Sequence, residues 1–282
     1  MTKLPRHEPV PGRPRTGRCA PPVALWLLAA CGMPAAIQPG LAAPADEACR
    51  AGASREESLA GLGPRGELIL VSGRRAVLSG LRWPDEPAPE EAARAWLLSF
   101  RGLPLTVTER GPEDRWGRHR IDGLAGAAEP VDLAGALIAA GLASADAGEA
   151  DTLCRPALRA LEGAPREARR GVWATGPVAA TDMAALTARA GRFSMVEGRI
   201  LHVGERSART YLDFARKGES GLTVTVQKRT WRTLSEHGLS AAALRGRFVR
   251  IRGMVEIGRG PLIDLAGVEA IEVVEGERAL RR

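Results

Sequence analysis

Hydrophobic positions alternate with polar ones over most of the chain between residues 192 and 275. The alternation predicts strands, and two short helical patterns interrupt it. The predicted strands are 193–203, 209–214, 222–226, 248–257, 262–265 and 268–274, and the predicted helices are 231–237 and 241–244. Three strands, a helix and then further strands are typical of a five-stranded OB-type barrel with one main helix.

The preceding part of the chain mixes short strand patterns with amphipathic helices. Strands are predicted at 67–71, 75–81, 105–109 and 118–124, and helices at 90–100, 131–142 and 156–172. Apolar residues in the helices recur at helical spacing, and acids in the first turn favour a helix start near Glu90. We therefore expect an α+β, mainly β protein with two small barrels, of which the first carries three helices.

Composition shifts divide the chain into six segments. They are a leader at 1–43, a tether at 44–63, a first domain at 64–174, a linker of small residues at 175–191, the OB-type domain at 192–275 and a tail at 276–282. The tether is rich in Ala and Glu, which is typical of a flexible connection or a short helix.

The leader resembles an export signal. Its basic region ends at Arg18, and an uncharged apolar core follows at 23–31 before prolines break the stretch. Two cleavage sites compete: a lipobox-like segment ending at Cys31, which would be lipidated, and a small-residue site near Ala43. The first predicts a membrane-anchored lipoprotein and the second a periplasmic protein, whereas a disordered, Pro-rich N-terminus is the alternative without export.

Export changes what the cysteines predict. The mature chain keeps Cys49 and Cys154, and an even pair in an oxidising compartment predicts a disulfide between them. The alternative is two free thiols. No metal site is expected, because the four histidines are scattered along the chain and none has ligand spacing to either cysteine.

The formal charge of +7 is distributed unevenly along the chain. Residues 1–43 carry a net charge of +4, residues 44–175 a net of −3 and residues 176–282 a net of +6. A polyanion-binding surface is therefore expected in the C-terminal part, away from the mildly acidic first domain.

Six motifs in order give the first domain a family resemblance. They are Gly73–Leu81, Pro84, Glu90–Ala92, Asp114–Arg118, Leu133–Leu142 and Ala168–Trp173. Over about residues 64–174 they resemble the staphylococcal-nuclease-like, or thermonuclease, family. The second domain is similar to the OB-fold that follows such a nuclease domain in some bacterial proteins.

The resemblance also implies a catalytic site, and this chain departs from it. In the family two aspartates hold Ca²⁺, a glutamate activates water and two arginines stabilise the developing charge. Gly66 and Arg82 stand at the aspartate positions, Asp85 at the glutamate position and Val77 at the first arginine position, so that Arg118 alone is kept. Nuclease activity is therefore expected to be lost. No cofactor is expected, and Ca²⁺ would be needed only if the nuclease alternative holds.

Other interpretations of the site residues are also open. A register shift of one residue could offer Glu67 in place of Gly66, although on the opposite face of its strand. Arg118 could instead stabilise its own loop, and Arg82 could pair with Asp85 or Glu86. Trp116 and Trp173 are expected to be core residues.

The expected function is binding rather than catalysis. The candidate nucleic-acid-binding residues lie at the start of the main helix and on one strand of the OB-type domain: Lys228, Arg229, Arg232, Arg250 and Arg252. The alternative is that Arg250 and Arg252 only meet solvent on the outer face of their strand. The ligand would be nucleic acid, another polyanion or an envelope partner. The rival functions are a Ca²⁺-dependent nuclease with a rearranged site and a structural lipoprotein anchored through Cys31.

Overall fold

The computed structural model of this protein describes residues 49–148, 152–216 and 218–274. The predicted leader with Cys31 and both cleavage sites, and the predicted tail, lie outside the described residues. The described residues all belong to one compact unit. They form the α+β, mostly stranded fold that the sequence predicts.

A closed five-stranded barrel forms the first half of the fold, residues 49–174. In chain order, the strands and α-helices of this half are β1 (Ala51–Leu62), β2 (Leu68–Leu70), β3 (Arg75–Leu78), β4 (Leu81–Arg82), α1 (Pro87–Leu98), β5 (Pro104–Arg110), β6 (His119–Ala125), β7 (Val131–Asp132), α2 (Leu133–Ala139), β8 (Ser144–Ala145) and α3 (Gly163–Glu167). β1 pairs antiparallel with β2 and β5, and β5 pairs with β6. β3 pairs antiparallel with β2 and parallel with β6, so the ring closes.

The predicted tether is wrong over most of its length, because β1 lies there. β1 joins β2 to β5 and buries Leu59 in the barrel core. Its first half carries charged and small residues, and nearly all of them are exposed to solvent. This exposure hides the strand from a search for hydrophobic alternation.

The predicted helix at 156–172 is also wrong over most of its length. Pro156–Glu162 forms a 3₁₀ helix, and only the five residues of α3 are α-helical. Pro165 has no backbone N–H, so a continuous α-helix would lose a hydrogen bond at this position. In α3 the proline falls in the first turn, where the N–H groups have no partner within the helix.

The second half of the fold, residues 175–274, contains two further sheets. In chain order, its strands and α-helices are β9 (Val178–Ala179), α4 (Met183–Ala188), β10 (Phe193–Arg199), β11 (His202–Glu205), β12 (Arg209–Asp213), β13 (Thr223–Gln227), α5 (Lys228–Glu236), α6 (Ala241–Leu244), β14 (Phe248–Met254), β15 (Glu256–Ile257), β16 (Pro261–Asp264) and β17 (Ile271–Val273). One sheet has the order β11-β12-β13-β16-β15 and the other β17-β14-β10-β9. β10 leads directly into β11, and β14 leads directly into β15, so two successive strand pairs connect the sheets. This order is compatible with the predicted OB-type barrel.

The predicted linker at 175–191 is partly ordered into elements. β9 pairs in parallel with β10, so the linker adds a strand to the second sheet. Asp182 caps α4 by accepting a hydrogen bond from the backbone N–H of Ala185, and Leu186 is fully buried. This segment therefore belongs to the packed structure of the second half.

The predicted disulfide between Cys49 and Cys154 is confirmed. Its two Cα atoms lie 5.1 Å apart, and the bond spans 105 residues. It ties Cys49, two residues before β1, to the segment that precedes the 3₁₀ helix Pro156–Glu162.

Candidate functional site

A cavity of about 690 Å³ lies beside β3 on the outside of the first barrel. The five positions that the thermonuclease resemblance identifies all line it: Gly66, Val77, Arg82, Asp85 and Arg118. The fold therefore brings these five residues together around one cavity. Their contacts determine what the cavity can do.

Gly66 cannot be replaced by a metal-binding aspartate without rearrangement. It lies in the turn before β2 with φ +74°, a conformation that favours glycine. A Cβ atom at this position would lie 2.2 Å from the indole ring of Trp83. The turn and the packed indole together leave no room for a carboxylate.

Glu67 does not take over that role. Its buried carboxylate accepts hydrogen bonds from Arg75 Nη2 at 2.6 Å and from the backbone N–H of Arg65 at 2.8 Å. Burial raises the pKa of Glu67, but hydrogen bonds from its own backbone N–H, Arg75 and Arg65 outweigh burial and lower it. Glu67 thus stabilises the turn before β2 and does not line the cavity.

Arg82 connects the cavity wall to the second half of the protein. Its guanidinium lies 3.6 Å from Asp85 Oδ2 and stacks over the Phe193 ring, 4.6 Å from the ring centre. It also donates to Met254 Sδ at 3.7 Å. A guanidinium repels a divalent cation, and Gly66 offers no carboxylate, so the residues present do not fit Ca²⁺.

Arg118 stabilises the loop between β5 and β6. Asp114 accepts hydrogen bonds from the backbone N–H groups of Trp116 and Arg118 at 2.9 and 3.0 Å, and from Arg118 Nε at 2.7 Å. Burial raises the pKa of Asp114, but the hydrogen bonds from Arg118 and Trp116 outweigh it and lower the pKa. The charge of Arg118 is therefore already neutralised within its own loop.

The two tryptophans expected in the core differ. Trp173 is buried as predicted, with 1% of its surface exposed, whereas the prediction for Trp116 is wrong because 45% of its surface is exposed. Trp116 lines the cavity, with the guanidinium of Arg115 4.1 Å from its ring centre. The guanidinium of Arg118 also lies over this ring, 4.7 Å from its centre, so a base or another flat group can stack only on the ring surface that the two cations leave exposed.

The sequence interpretation missed two other cavity arginines, Arg65 and Arg120. Arg120 lies on β6 directly opposite Val77 of β3, and Arg65 lies in the turn before β2. Within the part of the chain that the structure describes, neither side chain has an ion-pair partner. The parallel pairing of β3 with β6 would have identified Arg120, but local sequence patterns do not reveal which distant strands pair.

The prediction that Arg250 and Arg252 contribute to a nucleic-acid-binding surface is wrong. Both are buried, 3% and 2% exposed, because the first half covers their strand. Arg252 binds Glu162 of the first half through two hydrogen bonds of 2.6 and 2.8 Å and also Glu272 at 2.8 Å. The solvent-facing alternative for these two arginines is wrong for the same reason.

The three remaining candidates lie on α5. Arg229 and Arg232 are exposed, and Lys228 lies 3.9 Å from the carboxylate of Glu205. Without Arg250 and Arg252, these residues are a short basic stretch on one helix. Such a stretch is a weak basis for a polyanion site.

Two general properties of the described residues bear on function. Among residues 49–148, 152–216 and 218–274, no cluster of three or more His, Cys, Asp or Glu side chains could hold a metal ion. Over the same residues, no helix is long and apolar enough to cross a membrane.

No protein-family model matches this chain, and no curated protein matches it at a significant level. The fold and the cavity therefore define a class only: a mainly stranded α+β protein with an arginine-lined cavity on its closed barrel.

Proposed function

We propose that this protein binds single-stranded nucleic acid in the cavity of its first barrel and does not cleave it. The observation that carries the proposal is the lining of the cavity, where Arg65 and Arg120, which have no carboxylate partner among the described residues, accompany Trp83 and Trp116. Two further arginines of the lining, Arg82 and Arg118, are paired with Asp85 and Asp114. Guanidinium groups bind phosphate in a fork-like geometry, and aromatic rings stack on bases, so the combination suits a single strand.

The residues at the metal-ligand positions support binding without hydrolysis. Gly66 provides no ligand, and Arg82 places a cation where the family resemblance implies Ca²⁺. Asp85 is exposed and accompanied by Arg82. A carboxylate without a metal ion to polarise water or phosphate has little means of promoting hydrolysis.

We also propose a finer fold assignment and a cellular location. The pairing order β1-β2-β3-β6-β5 supports a thermonuclease-like OB barrel for residues 64–174, extended by β1. The equivalent order of the second half supports an OB-type domain at 192–275. The Cys49–Cys154 disulfide supports export to an oxidising compartment such as the periplasm.

Binding is tested by titrating the protein into fluorescein-labelled oligothymidylate and following fluorescence anisotropy at several salt concentrations. We expect saturable binding whose logarithmic association constant falls linearly with the logarithm of salt concentration, because phosphate contacts release counterions. Inorganic polyphosphate should compete less well than unlabelled oligothymidylate, since it has no bases to stack on Trp116. Absence of binding at low salt, or equal competition by polyphosphate, contradicts the proposal.

The absence of hydrolysis is tested on the same oligonucleotide with Ca²⁺, beside a chelated control. We expect the oligonucleotide to stay intact in both samples. Cleavage that requires Ca²⁺ and disappears in the Asp85→Ala variant would instead establish the rival function, a nuclease with a rearranged site.

A further inference from the structure

The parallel pairing of β3 and β6 places Arg120 beside Val77. Ala76, Leu78 and Ile121, the neighbours of these two residues, are buried in the barrel core. Side chains alternate between the two faces of a strand, so Val77 and Arg120 both face outwards. They are register partners in a parallel pair, and both line the cavity. A guanidinium on β6 therefore occupies the same part of the cavity wall as the side chain of Val77 on β3.

The arginines that line the cavity differ in how far they are neutralised. Arg82 is paired with Asp85 at 3.6 Å, and Arg118 is paired with Asp114 at 2.7 Å. Arg65 and Arg120 have no carboxylate partner among the residues that the structure describes. These two are therefore the cations most available to an anionic ligand.

The carboxylates of the cavity do not cancel this excess. Asp85 and Asp114 form ion pairs with Arg82 and Arg118. Glu90 forms an ion pair with Arg94 at 3.2 Å. Asp146 is the remaining acid among the described residues that line the cavity. Among the described residues that line the cavity, the unpaired groups are thus two guanidiniums against one carboxylate, which favours a ligand of negative charge.

Arg120 is less accessible to water than Arg65. Arg65 is exposed at the rim, whereas Arg120 is partly buried. A cation that is partly removed from water without a partner loses hydration, and an anion bound beside it compensates that loss. Arg120 therefore gains more from a bound phosphate than an arginine in open solvent does.

We infer that Arg120 supplies the phosphate-binding guanidinium that the Val77 position lacks, with Arg65 making a second phosphate contact at the rim. Arg118, in contrast, stabilises its loop and does not hold the ligand. This inference rests on the proposed function, and it names the residues that select a phosphodiester ligand.

The first test compares Arg120→Gln and Arg120→Lys with a matched control, Arg101→Gln. Arg101 is an exposed arginine of the same half that does not line the cavity. Against labelled oligothymidylate, Arg120→Gln should bind about tenfold to a hundredfold more weakly, the loss expected for one hydrogen-bonded charge pair. Its logarithmic salt slope should be shallower by about 0.7, one phosphate contact on a single strand. Arg120→Lys should fall between wild type and Arg120→Gln, and Arg101→Gln should stay within about twofold of wild type.

The second test exchanges the two register partners. Arg120→Val should lose binding, and the double variant Val77→Arg/Arg120→Val should restore it to within about threefold of wild type, because the guanidinium returns to the same face from the other strand. Circular dichroism and thermal unfolding establish that each variant is folded. A merely structural role for Arg120 would not be restored from β3.

The outcomes separate this inference from the proposed function. If wild-type protein does not bind oligothymidylate, the proposed function fails. If wild type binds and folded Arg120→Gln binds as well as Arg101→Gln, the inference fails and the proposed function stands. Loss of binding in Arg120→Val without recovery in the folded exchange variant also overturns the equivalence of the two positions.

Discussion

Arg252 is almost completely buried where the two halves of the protein meet. Burial lowers the pKa of its guanidinium, but the charges and hydrogen bonds of Glu162 and Glu272 outweigh burial and raise it. Arg250 lies two residues earlier on β14 and donates to Glu197 at 2.6 Å and to Glu272 at 2.9 Å. Both arginines, which a charge count assigns to a binding surface, thus act in the interior: Arg252 binds Glu162 of the first half, and Arg250 binds Glu197 and Glu272 within the second half.

Removing one member of this cluster should be costly. Arg252→Met leaves the carboxylate of Glu162, which is fully buried, without its main partner. We expect the free energy of unfolding to fall by about 3–5 kcal/mol, because an uncompensated buried charge remains. Urea denaturation measures the change, with the exposed Arg245→Met as the control, for which a change within about 0.5 kcal/mol is expected. Equal midpoints for the two variants would show that the buried pair contributes little.

Single residues of the site were predictable to different degrees. Gly66, Val77 and Arg82 were candidates in the sequence, and the fold places all three around one cavity. The alternation of β14 was also predictable, but alternation identifies the two faces of a strand and does not tell what covers each face. The role of Arg120 depends on a pairing between strands that are about forty residues apart, which no local pattern encodes.

At the scale of elements, most strands and helices lie where the hydrophobic pattern places them. The exceptions, β1 and β9, share a cause: contacts with distant strands outweigh the local sequence preference for secondary structure. β1 is polar over its first half, yet it is a strand because β5 offers a ladder of backbone hydrogen bonds. The linker forms β9 because β10 has a free edge beside it.

The disulfide holds two elements that the chain itself separates widely. Cys49 precedes β1, and Cys154 precedes the 3₁₀ helix Pro156–Glu162, whose Glu162 binds Arg252. The double variant Cys49→Ser/Cys154→Ser should be less stable than wild type by about 2–5 kcal/mol, since the bond closes a loop of 105 residues.

Thermal and urea unfolding with and without dithiothreitol measure the effect of the disulfide. Wild type should become destabilised on reduction, whereas the double variant should not respond. If dithiothreitol destabilised the double variant as much as wild type, the effect of the reductant would come from other cysteines.

At the scale of the whole molecule, the two halves share one ionic cluster and form one compact unit. Glu272 of β17 lies at its centre, in contact with Arg159 of the first half and with Arg250 and Arg252 of the second. Arg82 forms a second connection through Phe193. Sequence composition suggested two domains joined by a linker, but it cannot show interactions that form only when the halves pack.

The same cluster predicts how stability depends on pH. Burial raises the pKa of Glu272, but Arg252, Arg159 and Arg250 outweigh it and lower the pKa from 4.5 to about 2. The unfolded state therefore binds a proton at higher pH than the folded state does. The contribution of Glu272 is complete above pH 4.5 and is lost as the pH falls towards 2, with a magnitude on the order of 3 kcal/mol.

Urea unfolding at a series of pH values tests this dependence. Wild type should lose stability steeply between about pH 5 and pH 2. Glu272→Gln should be less stable at neutral pH and should show a flatter decline in acid. Parallel declines for the two proteins would assign the acid sensitivity to other carboxylates.

The buried pair between Glu162 and Arg252 has a consequence for synthesis of the chain. Ribosomes make Glu162 first, and Arg252 follows 90 residues later. Until Arg252 is available, the carboxylate of Glu162 lacks its main partner. Burying it alone would cost several kcal/mol, so the 3₁₀ helix that carries it stays hydrated until β14 emerges. A nascent chain that stops between the two residues therefore cannot complete its fold, and it remains exposed to proteases and to chaperones.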